Sequence, residues 1–248
     1  MSLSSSTIDQ IPTLLKKDIP LYGLHSFISK KKGGKTSTIF RNLNQREDIE
    51  SVIVATEFLD KSLHSLHLPS DKFKVRSEPI CEIVQDILKQ QDKDKKGLAI
   101  VILNVASCDY ELVDLIDELH QYALSKNIII YTTHEYCVPL KLQPDVIYYM
   151  GINENQMEYI YRDHFVSPKS FIKLFTQFKD IVNNVRKVAP YSWIVKNATT
   201  STNNIFRLHP PSVTNCSILE NTQSVASTSS TFASVMWKPF SYVRSFLW

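Results

Sequence analysis

Short apolar runs alternate with longer amphipathic stretches along most of the chain. The run LYGLHSFIS at 21–29 is brief and apolar and predicts a strand, and KTSTIFRNLNQ at 35–45 follows it as a helix. SVIVATEF at 51–58 is rich in β-branched residues, the composition of a buried strand. Residues 59–77 show no period and read as irregular. Between 78 and 93, Ile80, Ile83, Val84, Ile87 and Leu88 fall on one helical face. LAIVILNV at 98–105 is the most hydrophobic run and predicts a central strand, and YELVDLIDELHQYALSK at 110–126 is another amphipathic helix. NIIIYTTHE at 127–135 and DVIYYMG at 145–151 predict two further strands.

Strands that alternate with helices imply a mainly parallel sheet covered on both faces, an α/β fold with right-handed crossovers. The expected strands are 21–29, 51–58, 98–104, 127–133 and 145–150, with the first lying beside the one that ends at Thr133. Further on, SPKSFIKLFTQFKDIVNNVRK at 167–187 opens on Ser167-Pro168, a helix start, and spaces Phe171, Leu174, Phe175 and Phe178 helically. YSWIVKN at 191–197 and NIFRL at 204–208 suggest a hairpin around the polar turn ATTSTN. The organisation expected is a loose arm over 1–19, one α/β domain over 20–210, a Ser/Thr-rich linker over 211–230 and an aromatic docking segment over 231–248. That last segment carries Trp237, Phe240, Tyr242, Phe246 and Trp248, which need an apolar surface to cover them.

Composition narrows the classes. At 248 residues, with 43% hydrophobic and 21% charged, the chain can bury a real core. No apolar run approaches the roughly 20 residues that span a bilayer. The N-terminal MSLSSSTIDQIPTLLKKD lacks a signal-peptide core, so the expected setting is the inside of a host cell, nucleus or cytoplasm, or association with a virion. Cys81, Cys108, Cys137 and Cys216 are far apart and read as reduced thiols. His64 and His67 have no third ligand nearby, which argues against zinc. The net charge of +3 assigns no partner, but its distribution is uneven. Residues 19–46 hold Lys30, Lys31, Lys32, Lys35, Arg41 and Arg46 and no acid, a block that attracts phosphates. Residues 104–120 hold Asp109, Glu111, Asp114, Asp117 and Glu118 without Lys or Arg, most simply a solvated face.

Chemistry concentrates at Ser29-Lys30-Lys31-Lys32-Gly33-Gly34-Lys35-Thr36. This fits the phosphate loop G-x-x-x-x-G-K-[ST] except at its first position, where Ser29 stands for Gly. The loop follows an apolar strand and precedes a helix, the context the motif requires. Glycines let backbone N–H groups turn toward phosphates, Lys35 reaches the outer phosphates, and the Thr36 hydroxyl binds Mg²⁺. The candidate ATP-binding set is Ser29, Lys30, Gly33, Gly34, Lys35, Thr36 and Thr38. A P-loop ATPase also needs acids at the end of a buried strand, to hold Mg²⁺ and to activate water. The strand 98–105 delivers Asn104 and Val105 there, so Asn104 is at best a weak Mg²⁺ partner. Asp109 either approaches from the following loop as a catalytic carboxylate or starts the next helix as an N-cap. His134, at the end of strand 127–133, either senses the outer phosphate or is an ordinary strand-end residue.

The order of these elements resembles the poxvirus-type genome-packaging ATPases of the FtsK–HerA superfamily. The resemblance rests on the phosphate loop after strand 21–29, the apolar strand 98–105, then Thr133-His134, Val138-Pro139, Lys141 and Pro144-Asp145, and an ending like YSWIVKN…NIFRL. It covers about residues 20–210. It implies a P-loop three-layer sandwich and a ring-forming homo-oligomer that binds ATP and Mg²⁺. It implies a motor that moves double-stranded DNA into a preformed capsid through a capsid or portal-like partner. The chain departs from the family at the catalytic positions: Asn104-Val105 for an acidic pair, His134 for Gln and Lys141 for Arg. Two other roles stay open, a non-catalytic P-loop scaffold in a virus assembly complex and a partition-type ATPase. The latter matches the extra loop lysine Lys30 but requires an acid at the end of 98–105. The departures predict slow ATP turnover, raised by Asn104→Asp combined with Val105→Glu.

Overall fold

A computed structural model describes residues 20–56, 69–89, 97–106, 108–150, 153–166, 174–188, 193–197 and 205–208. Among the described residues, eight strands form one sheet: β1 (Gly23–Ile28), β2 (Ser51–Ala55), β3 (Phe73–Arg76), β4 (Leu98–Ile102), β5 (Ile129–His134), β6 (Val146–Tyr149), β7 (Trp193–Asn197) and β8 (Ile205–Leu208), in the order β3-β2-β4-β5-β1-β6-β7-β8. The first six are parallel to their neighbours, whereas β7 runs antiparallel to β6 and to β8. The helices are α1 (Lys35–Asn44), α2 (Ile80–Lys89), α3 (Tyr110–Lys126), α4 (Glu154–Ile160) and α5 (Phe175–Val188), with a π-helical turn at Tyr161–Phe165 after α4. The expected strands and helices are present, and β1 sits inside the sheet between β5 and β6, as the phosphate-loop expectation demands.

Three elements escape the hydrophobic pattern. The segment that reads as irregular contains β3, a four-residue edge strand in which only Phe73 is fully buried. Charged Lys74 and Arg76 erase its apolar signature, as suits an edge. Helix α4 and the π-helical turn are short, and they bury Met157, Ile160, Tyr161 and Phe165 among polar neighbours. The Ser167-Pro168 helix start, the arm 1–19, the histidines 64 and 67, the hairpin turn and the segments beyond 208 lie outside the described residues.

Alternate side chains of each central strand enter two separate cores. Leu98, Ile100 and Ile102 of β4 meet α2 and α3 through Ile83, Val84, Ile116 and Leu119. Ala99, Val101 and Leu103 face the other way, toward Ile39, Phe40 and Leu43 of α1. Burial on both faces explains why β4 reads as a continuous apolar run rather than an alternation. Each such fully buried Leu, Ile or Phe is worth about 1.5–3 kcal/mol. On the α1 side, Phe27 stacks on Tyr148 at 4.1 Å and meets Trp193 edge-on at 5.2 Å, so aromatic packing joins β1, β6 and β7. The result is a three-layer α/β sandwich with α1 on one face and α2 and α3 on the other.

One carboxylate ties the entry of β1 to its surroundings. Asp145 Oδ2 accepts from the Leu24 N–H at 2.9 Å and lies 2.8 Å from His120 Nε2 on α3. The backbone returns the contact, Asp145 N–H donating to Leu24 O at 2.9 Å. Gly23, at φ 100°, is required here, because a Cβ would fall 2.2 Å from that same oxygen. Burial pushes the Asp145 carboxyl up, but the bonds from His120 and the Leu24 N–H outweigh it and hold the group below its ordinary value. The stabilisation from this depressed pKa is therefore present above the unfolded-state value and is lost as pH falls through the folded one. Asp145→Ala should cost about 1–3 kcal/mol at neutral pH by stranding buried donors. Denaturant titrations of both proteins should show that gap narrowing toward about pH 3, below the ordinary carboxylate range. An equal gap at both pH values contradicts this role.

Candidate nucleotide site

The loop that leaves β1 is shaped by steric limits and by the strand beside it. Ile28 pairs with His134, and the Ser29 N–H continues the ladder to His134 O at 3.3 Å. The chain then turns back, Gly33 N–H donating to Lys30 O at 3.0 Å. A Cβ at Gly33 would come within 2.3 Å of Ser29 Oγ and 2.9 Å of Lys30 O, so no other residue fits there. Gly34 precedes α1 in the left-handed region at φ 84°, as does Lys32 at φ 63°. Such residues rotate successive N–H groups toward one concavity, an anion-binding nest. Gly34 offers no side-chain cap to α1, and the first turn of α1 holds no acid. The free N–H groups and partial positive charge of the helix end therefore face the loop uncompensated.

Lys35 folds into this loop. It is 7% exposed, and its ammonium donates to Ser29 O at 2.6 Å and Lys30 O at 3.1 Å, with Ser29 Oγ at 3.4 Å. These partners are neutral. Burial lowers the lysine pKa, and the charge of Glu135 partly offsets it. Lys30, Lys31 and Lys32 stand exposed on the outside of the loop, and Thr36 is half-buried behind Lys35. Thr38 is engaged elsewhere: its hydroxyl accepts from Trp193 Nε1 at 3.2 Å in the contact between α1 and β7.

The ends of β4 and β5 are sewn together beside the loop. Val105 N–H donates to Thr133 O at 2.9 Å, and Asn104 N–H to Thr133 Oγ1 at 2.8 Å. Asn104 is exposed and left-handed, at φ 59°. Val105, 4% exposed, packs into the apolar core under α3. A carboxylate at position 105 would be buried among apolar groups at a cost of several kcal/mol, which weighs against the gain expected from Asn104→Asp combined with Val105→Glu. Asp109 is the N-cap of α3, its Oδ1 accepting from Leu112 N–H at 3.1 Å. His134 is fully buried, its Nε2 lying 2.9 Å from Thr132 Oγ1. Its pKa falls to about 3 through burial, which the Val105 backbone only partly offsets, with His164 and Lys35 lowering it further. Lys141 reaches Asp114 at the surface, 2.5 Å away.

One residue at this end was not foreseen. Glu135, half-buried, follows His134 and lines a crevice of about 380 Å³ with Asn104, Val105 and Ala106. Sequence inspection passes over it because it follows the strand that lies between the loop strand and the strand where acids are expected. Among the described residues no three His, Cys, Asp or Glu side chains converge as a metal cluster. The donor set nonetheless fits Mg²⁺ carried on a nucleotide, an ion that uses few protein oxygens and takes the rest from phosphates and water.

No family model matches the sequence, and no curated protein does. Solved structures do match. One is the genome packaging NTPase B204 from Sulfolobus turreted icosahedral virus 2 in complex with AMPPCP, superposed with a TM-score of 0.53 at 14% identity over 77% of this chain and 100% of that one. The likeness shows the fold: a mostly parallel α/β sandwich like that of this NTPase. The buried imidazole gives a direct check on the site. NMR of His134 should show a neutral ring that does not titrate between about pH 5 and 8, and a midpoint near the ordinary 6.5 would contradict the described burial.

Proposed function

We propose that the chain is an ATP-binding, packaging-type motor subunit that translocates double-stranded viral DNA into a preformed capsid. The observation that carries this is Lys35, a buried ammonium held on neutral loop carbonyls beside an uncompensated helix end. A cation and free helix-end N–H groups that face one loop suit an anion. The likeness of the fold to a genome packaging NTPase bound to a nucleotide analogue supports the same reading. Kinship with the poxvirus-type, FtsK–HerA packaging ATPases belongs to this proposal.

Ser29, Lys30, Gly33, Gly34 and Lys35 would hold the triphosphate, and Thr36 the Mg²⁺ carried with it, with Asn104 a neutral oxygen partner nearby. When bound, the ion neutralises charge on the outer phosphates. The exposed Lys30, Lys31 and Lys32 suit a polyanion, and the proposal includes a homo-oligomeric ring on DNA, engaged with a capsid or portal-like protein. A scaffold that binds nucleotide without hydrolysing it is the second reading. It is favoured by Asn104 and by the core position of Val105, where an ATPase would present acids.

Lys35→Ala should lower ATP affinity at least tenfold, about 1.4 kcal/mol, in a calorimetric or fluorescence titration. Far-UV circular dichroism and melting temperature should stay near those of the wild type. Unchanged affinity in a folded Lys35→Ala protein would mean the loop does not bind nucleotide.

A further inference from the structure

We infer that Glu135 supplies the carboxylate that β4 lacks, acting as the general base that activates water for ATP hydrolysis. The inference rests on nucleotide binding at the 29–36 loop. Its geometry comes from three observations. First, β5 lies between β1 and β4, so the residue that follows it stands between the phosphate loop and the usual place of the acids. Second, the Ser29 N–H bonds His134 O, which fixes the end of β5 against the start of the loop. Third, Thr133 accepts from the Asn104 N–H through its hydroxyl and from the Val105 N–H through its carbonyl, and the chain just past β4 shares one crevice with Glu135.

Along β5, Ile129 and Tyr131 enter the core on the α1 side and Ile130 the core on the α3 side; Glu135 lies just past the strand, in the bend that follows His134. The electrostatics agree, since the Glu135 charge bears on the Lys35 ammonium. Asp109, the next acid along the chain after Val105, turns its Oδ1 to the start of α3, where it accepts from the Leu112 N–H. Val105 is in the core, and Asn104 cannot accept a proton at neutral pH.

In the step proposed, the Glu135 carboxylate takes one proton from a water as its oxygen bonds to the γ-phosphorus. The bond from that phosphorus to the bridging oxygen breaks, and the electron pair leaves with ADP. The products are ADP and inorganic phosphate, and the Glu135 proton passes to solvent.

Glu135→Gln keeps the shape and removes the base. In the full-length protein with Mg·ATP, turnover should fall at least 100-fold, within the range of roughly 10²–10⁴ for general-base catalysis. ATP affinity should not weaken. Without divalent cation, removal of a negative charge beside Lys35 should tighten ATP binding about two- to fivefold, a readout independent of turnover. Quenched single-turnover mixtures should show the variant holding ATP where the wild type holds ADP. Wild-type-like turnover in Glu135→Gln overturns the inference while leaving nucleotide binding intact. So does turnover lost in Asp109→Asn but kept in Glu135→Gln, or wild-type turnover no greater than that of Lys35→Ala. Failure of the binding proposal is distinct: Lys35→Ala would then bind ATP like the wild type.

Discussion

A lysine ammonium buried on neutral oxygens is the constraint around which the site is arranged. Taking a charge out of water costs several kcal/mol unless other groups replace its hydration. Here the replacements are the carbonyls of Ser29 and Lys30, which exist in that orientation only because the loop turns tightly at Gly33 and Gly34. The loop in turn needs β1 held in the middle of the sheet. Neighbours β5 and β6 fix it along its length, and the Asp145 carboxylate fixes its entry. Phosphates would offer the same ammonium a stronger, charge-matched partner.

The second half of the site follows from how the sheet ends. Past the end of β4 the chain buries Val105 in the core and leaves Asn104 exposed, so the strand that would ordinarily be followed by acids is followed by none. Just past the end of the neighbouring strand, Glu135 lines the same crevice. A carboxylate that follows the adjacent strand reaches the same space from the other side, because neighbouring strands are only about 4.8 Å apart.

Much of this was legible in the sequence. Doubly buried strands announce themselves as apolar runs, so β1, β2, β4, β5 and β6 could be placed, and the α3 boundaries were plain from its period. The phosphate loop was legible because its glycines and lysine answer to steric and charge demands that few other residues meet. Edge strand β3 was hidden because its outward side chains are charged. Glu135 was hidden for another reason: a lone acid after a strand carries no local signature, and only the sheet order brings it beside the loop. The core position of Val105 and the capping role of Asp109 likewise depend on how the chain turns after Leu103, where the left-handed Asn104 redirects it.

The central claim is that Lys35 exchanges carbonyl partners for phosphate. A crystal structure of the full chain grown with Mg²⁺ and AMPPCP tests it most directly. The account predicts the triphosphate within the 29–36 loop and Lys35 Nζ moved from Ser29 O onto a phosphate oxygen. Nucleotide bound at another surface, with Lys35 still on the Ser29 and Lys30 carbonyls, would contradict it.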